Sequence, residues 1–462
     1  LQDVAWGDNA SLASTALFAG EPSSTGRDGL ELPTVQLGRV WTEFSVPVGI
    51  VRVGRMPSEW GMGLLVAPGD GFDQPFGEAS YPTTNDRILF ATRPIAVLDG
   101  ILGREDRGVP LFVAVAFDRL VEDPLFQYHG FECSPGVLEG DPAFDVRCDS
   151  DGDGVTDLDH GYQDDGVDAS SRPLDWWVDS DDDVTQMVYV LAYRGEGVTY
   201  LGQPGDLTAG LWAVNRTQRE TDSKVWILDG AFEAHSHRVH LQAEVVAIDG
   251  TTRALVLPDA SQPDPLKKKA NLLGYAAKGG YLHGALDAQL ETGFASGDDD
   301  VADAEFTGRA LHPDHNVGLL LYEQVLAQVT ASQRTTSARG LWSNGGVVAS
   351  RYVNPVVSVE VRPDTHVVGG FVAAWPNRPD GAVIRCKSTD AVPCTTPAAL
   401  QPEADALGWE LDLALKHTWQ QHLLFSLEAG YARVTDRLPL EAAGLDPDGA
   451  YLTVQSRVAW QF

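Results

Sequence analysis

The densest group of hard oxygen donors in the sequence is DSDGDGVTDLDHGYQDDGVD, residues 149–168. Asp149, Asp151 and Asp153 alternate, Gly154 permits a sharp turn, Val155 offers a backbone carbonyl, and Asp157 or Asp159 completes a shell. Carboxylates and carbonyls at alternating positions around such a turn suit Ca²⁺. An EF-hand carries a bidentate Glu at the twelfth position. Here that position is His160, which leaves Asp164, Asp165 and Asp168 as candidates for the missing ligand. Clustered carboxylates repel one another unless a cation sits among them. The expectation is a structural calcium ion ordering a long loop; the alternative is a solvated acidic loop.

Four cysteines lie in two sequence-local pairs, Cys133 with Cys148 and Cys386 with Cys394, each in a Gly/Pro/Asp-rich stretch. No CxxC and no Cys/His spacing links them. Two loop disulfides in an oxidising compartment are expected rather than a redox or zinc site. His235, His237 and His240 crowd one tight turn, and HPDH (312–315) lies in a loop. No serine has a GxSxG context, and no Gly-rich phosphate loop follows a strand. No enzyme is expected.

Around these residues lies a chain of 462 residues with 47 glycines, 43% apolar and 21% charged residues, and a formal net charge of -33. That charge speaks against nucleic acid or an anionic membrane surface as partner. Leu1-Gln2-Asp3 lacks a basic n-region and an apolar h-region, as a processed chain would. No apolar run has the length of a membrane-crossing helix, but spanning strands hide their apolar half in alternation.

That alternation recurs. Leu452, Val454, Val458, Trp460 and Phe462 oppose Thr453, Gln455, Arg457 and Gln461. Leu407, Trp409, Leu411, Leu413 and Leu415 oppose Glu410, Asp412 and Lys416. Similar two-faced stretches cover 224–234, 237–248, 281–294 and 421–434. Each is a strand of spanning length. HSH (235–237), KGG (278–280), RPDT (362–365) and HTWQQ (417–421) read as tight connections, while 57–86, 120–184, 250–268, 295–346 and 377–406 are long.

Short turns and long loops therefore alternate, as in a transmembrane antiparallel up-and-down β-barrel. Fifteen strands can be placed between 34–45 and 450–462, and NASLASTALFAG (9–20) is the best candidate for a sixteenth. An eighteen-stranded closure would draw two more from 57–86 or 295–346. The expectation is one all-β barrel over 1–462, with an Asp-rich insertion at 120–184 and a long loop at 295–346. Within the latter, Val317, Leu320, Leu321, Gln324 and Leu326 suit a short helix that folds inward and narrows the pore, or one packed on the rim. Trp375, Trp419, Tyr431, Trp460 and Phe462 suit an interfacial girdle.

Strand parity assigns an inner face. It holds Glu43, Asp118, Asp229, Glu233, Glu244, Asp287, Glu291, Glu360, Glu410, Asp412 and Glu428, against Arg39, Arg52, Arg194, Arg362 and Lys416. An excess of acid on a low-dielectric wall concentrates cations, whereas pairing across strands would leave little net field.

VRVGRMPSEWGMGLL (51–65) and FASGDDDVADAEFTGRALHPDHNVGLLLYEQVLA (294–327), with the terminal Phe462, resemble a family of porin-like outer-membrane proteins of myxobacteria, more distantly similar to alginate-export-type barrels. The Asp-rich motif likewise resembles thrombospondin type 3 and dockerin loops. The resemblance implies a bacterial outer-membrane protein passing small hydrophilic solutes, with loops extracellular and both termini periplasmic. The sequence lacks the Arg-rich strand set of the alginate exporters, which speaks against polyuronate export. The expected function is a porin with a water-filled, mildly cation-preferring pore, surrounded by outer-membrane lipid and able to form a homo-oligomer. The alternative is a surface structural or adhesive protein whose calcium-bound loops ride on a barrel anchor.

Overall fold

In the computed structural model the described residues are 4–5, 36–37, 39–69, 74–77, 82–120, 184–200, 203–219, 222–253, 267–298, 304–332, 343, 345–377, 406–420, 422–435, 438–441 and 443–460. The candidate first strand at 9–20, the Asp-rich motif, all four cysteines and Phe462 lie outside them.

Two residues at each of β1 (Val4–Ala5) and β2 (Gln36–Leu37) form a separate antiparallel pair. A second, 16-stranded sheet holds the rest. Its path runs in chain order through β3 (Val40–Val46), β4 (Gly49–Pro57), β5 (Thr84–Thr92), β6 (Leu111–Leu120), β7 (Thr185–Tyr200) and β8 (Gln203–Gln218). It continues through β9 (Ser223–Ser236), β10 (Val239–Thr252), β11 (Lys268–His283) and β12 (Leu286–Ala295). It closes with β14 (Ser350–Arg362), β15 (Thr365–Pro376), β16 (Gly408–Trp419), β17 (Leu423–Val434) and β18 (Ala450–Trp460). Every pairing on that path is antiparallel. The sixteenth strand, β13 (Glu305–Phe306), adds two residues in parallel to the start of β11. Among the described residues no ladder joins β3 to β18.

The sheet is curved into a barrel, as its interior contacts require. Ser58 meets Arg87 of β5, Leu64 meets Glu244 of β10, and Gly77 meets Glu428 of β17 and Arg457 of β18. In a flat sheet β5 and β18 would stand on the order of 55 Å apart. One short segment touches both only because the wall wraps around it. The outward parity carries the exposed apolar side chains, among them Leu228, Leu290, Leu413, Leu427, Val454 and Trp460. Strands of this length with an apolar outer band make a transmembrane antiparallel up-and-down β-barrel. No helix among the described residues is long and apolar enough to cross a membrane.

Two connections differ from the sequence expectation. KGG is not a turn: Lys278, Gly279 and Gly280 lie inside β11, and the hairpin turns at Gly284-Ala285. Gly280 faces the His240 ring, which an added Cβ would overlap, so this glycine serves close packing of the inner face. The strand expected over 87–98 ends at Thr92, because Pro94 cannot extend a ladder and instead starts helix α1 (Pro94–Ile101). The turns at 236–239 and 362–365 fall where expected.

Candidate functional site: the barrel interior

The inner face has two halves. Towards the rim of tight turns it is polar. Towards the rim of long connections β7–β11 line it with apolar side chains, Val188, Val214, Ile227, Val246, Ile248 and Leu272, buried beneath inserted chain. Alternation alone hides this, because these strands are apolar on both parities there.

Two segments fill the apolar half. The first, between β4 and β5, brings in Trp60, Leu64 and Phe76. The second, between β12 and β14, brings in Leu311, Val317, a π-helix (Leu321–Leu326) and α2 (Ala327–Ser332). The helical stretch begins within the expected window of 317–328. Leu321, Tyr322, Val325 and Leu326 are all buried.

Inward carboxylates hold these segments by their backbones. Glu410 on β16 accepts N–H groups from Leu319, Leu320 and Leu321 at 2.6, 2.7 and 2.7 Å. Glu244 on β10 accepts from Met62 and, at 3.2 Å, from Leu64. Asp229 accepts from the Trp60 indole at 3.1 Å, and Trp60 stands edge-on to Trp212. Glu428 accepts from Gly77 at 2.9 Å, from Gln455 at 2.9 Å and from Arg457 at 3.1 Å. A carboxylate that receives several N–H donors makes the strong, charge-assisted kind of bond.

Glu291 on β12 takes a 2.6 Å hydrogen bond from the Tyr352 hydroxyl, and His315 Nε2 lies 3.2 Å from it. His312 reaches the Thr83 hydroxyl at 3.0 Å. The HPDH stretch is therefore a loop as expected, but one pinned inside the barrel. On β5–β8 Arg87 grips Asp118 with two nitrogens, at 2.6 and 2.7 Å, and Gln186 extends the chain to Arg216.

All eleven acidic candidates and Arg52 have inward parity in the register, but they fall into two environments. Asp118, Asp229, Glu244, Glu291, Glu410, Asp412 and Glu428 are buried. Both oxygens of Asp412 and Oδ2 of Asp229 have no hydrogen-bond partner among the described residues. Glu43, Arg52, Glu233, Asp287 and Glu360 lie towards the turn rim, exposed or half-buried. There Glu43 pairs with Arg52 at 2.6 Å, Glu233 with His235 at 2.6 Å, and Asp287 accepts from Gln289 at 2.7 Å. Besides Arg87, Gln186, Arg216 and Tyr352 on the strands, the residues the sequence did not nominate for the inner face are those on the inserted loops: Trp60, Arg309, His312, His315 and the amides of 319–321. Their signal was a break in alternation, which marks an insertion without showing its destination.

No protein-family model and no curated protein matches the chain. Solved structures show a distant likeness. OccK7 (OpdD) of Pseudomonas aeruginosa is 10% identical, with 90% of this chain and 76% of that one covered at a TM-score of 0.41. OccK11 (OpdR) is 8% identical, with 90% and 77% covered at 0.40. The outer membrane protein OprD is 9% identical, with 88% and 75% covered at 0.35. At these values the likeness says nothing of solute or location, and the fold rests on the strand register given above.

Proposed function

We propose that the chain is a bacterial outer-membrane channel for passive diffusion of small hydrophilic solutes, with a passage narrowed by its inserted segments. The observation that carries this reading is an apolar outer band around an inner face that bears a charged side chain on every strand of the path from β3 to β18 except β15, with inserted chain covering the wall of β7–β11 towards the loop rim. A barrel used only as a lipid anchor does not need a half-open polar chamber at the turn rim. The long connections face the cell exterior and the tight turns the periplasm in this reading.

Selectivity is mildly cationic. The exposed and half-buried inward acids Glu43, Glu233, Asp287 and Glu360 face only Arg52 and Arg194 among the basic candidates near the turn rim, because the bulge between Glu360 and Arg362 turns Arg362 to the outer parity. Glu410, in contrast, is held by three neutral N–H groups, so its charge still acts on the passage. Planar-bilayer recordings under a KCl gradient test both points. A unitary conductance with weak cation preference is expected; anion preference would sink the selectivity claim.

One observation favours a second reading. The apolar filling of the loop-rim half suits a closed barrel that displays its loops, and absence of any conductance would support it. In either case Asp149, Asp151, Asp153, Val155, Asp157 and Asp159 are proposed to hold one structural Ca²⁺ beside a Cys133–Cys148 disulfide, with Cys386 and Cys394 forming a second disulfide. Titration calorimetry with no binding heat below millimolar Ca²⁺ would count against the ion.

A further inference from the structure

The net charge of the chain argues against anionic partners, yet its lysines are not spread evenly. Four of the seven, Lys224, Lys267, Lys268 and Lys269, stand at the loop rim of β9 and β11. Lys224 and Lys269 share a register row with Thr251 between them, and both side chains point outward, 68% and 55% exposed, with the Lys269 ammonium 3.6 Å from an exposed Glu305 oxygen. Lys224, Arg253 and Lys267 all converge on the single carboxylate of Asp222, at 3.8, 3.7 and 2.5 Å.

Below this row the outer wall changes character in steps. The next row is Asn215, Trp226, Asp249 and Asn271, in which the Trp226 indole is 50% exposed. The wall below is apolar and contains a groove of about 690 Å³ lined on its outer side by Leu211, Gly230, Phe232, Val245, Tyr275 and Ala277. Gly230 forms its floor between Leu211 and Val245. Rows are about 7 Å apart along the strands, so the groove lies an acyl-chain length below the lysines.

We propose that the outer wall of β8–β11 binds one phosphorylated, multiply acylated glycolipid. Its phosphate rests on the Lys224–Lys269 row, its sugar on Trp226 and the flanking amides, and one acyl chain in the groove over Gly230. Cation, indole and groove then match the three chemical layers of such a lipid in order. Juxtamembrane lysines attract lipid phosphate, and an aromatic ring with amide neighbours suits a sugar face. The assignment rests on the loop rim being the cell-surface rim, where glycolipid is found.

The test uses the full chain, exchanged into detergent and mixed with hexa-acylated bisphosphoryl lipid A, with retained lipid counted by native mass spectrometry. Wild type is expected to retain one equivalent. Lys224→Glu/Lys269→Glu should retain at least roughly thirtyfold less, since the two lysines contribute about 1 kcal/mol each at a lipid surface. Gly230→Leu, which fills the groove and leaves the charges in place, should show a comparable loss. Lipid A stripped of phosphate, and phosphatidylglycerol, should be retained weakly. Equal retention by wild type and both variants, equal retention of either control lipid, or a protein oligomer in place of a lipid adduct would overturn the proposal. A closed lumen leaves this readout unchanged. Labelling Asp448→Cys with an impermeant maleimide on intact cells reads the orientation separately: labelling supports it, and protection contradicts it together with the surface-rim reading.

Discussion

Glu410 shows how one side chain decides whether the interior is filled. Three buried N–H groups point at its two oxygens, and a buried donor left without an acceptor costs about 1–3 kcal/mol. Glu410→Ala should therefore lower the urea midpoint and expose 318–332 to protease in the folded barrel. Glu410→Gln, which keeps one acceptor oxygen, should do so less. Asp412 is the opposite case: its buried oxygens have no donor among the described residues, and Glu410 stands two residues away on the same face. Adjacent buried carboxylates repel, so Asp412→Asn should raise stability by about 1–2 kcal/mol, and a lower midpoint would show that Asp412 has a bonding role. The sequence placed both residues on the inner face by parity alone. It was silent on the partners of Glu410, which lie about 90 residues earlier in the chain and leave no periodic mark.

At the scale of elements, strands with one apolar face were legible because a pleat turns burial into a period of two. The misreadings have the same origin. Lys278-Gly279-Gly280 resembles a turn in composition, but Gly280 is small because His240 lies over it. Pro94 ends β5 early, though the apolar pattern runs past it. The inserted segments gave only an interruption, since the choice between lumen and rim depends on contacts with many strands at once. Those contacts make further expectations. Gly370→Leu drives a side chain into the Phe76 ring, which lies 2.5 Å from an added Cβ, and should displace 74–77 and increase current noise in single-channel records. Deleting 317–328 should raise single-channel conductance; an unchanged value would mean that the π-helix does not restrict the passage.

The whole molecule is a barrel with an apolar exterior, a partly filled core and a polar inner face towards the turn rim. The exterior is checked by Leu413→Arg on the outer face of β16, which should cost about 2–4 kcal/mol near the bilayer midplane, while Thr453→Arg on the inner parity of β18 should cost much less. Equal costs, compared by unfolding in lipid vesicles, would mean that the lipid face has been misassigned. The central claim is that a continuous aqueous passage survives beside the inserted segments. Single-channel recording of the purified chain in a planar bilayer tests it most directly. Discrete unitary currents with a reversal potential displaced slightly to the cation side in asymmetric KCl are expected. Folded, membrane-inserted protein that carries no current at any applied voltage would contradict it.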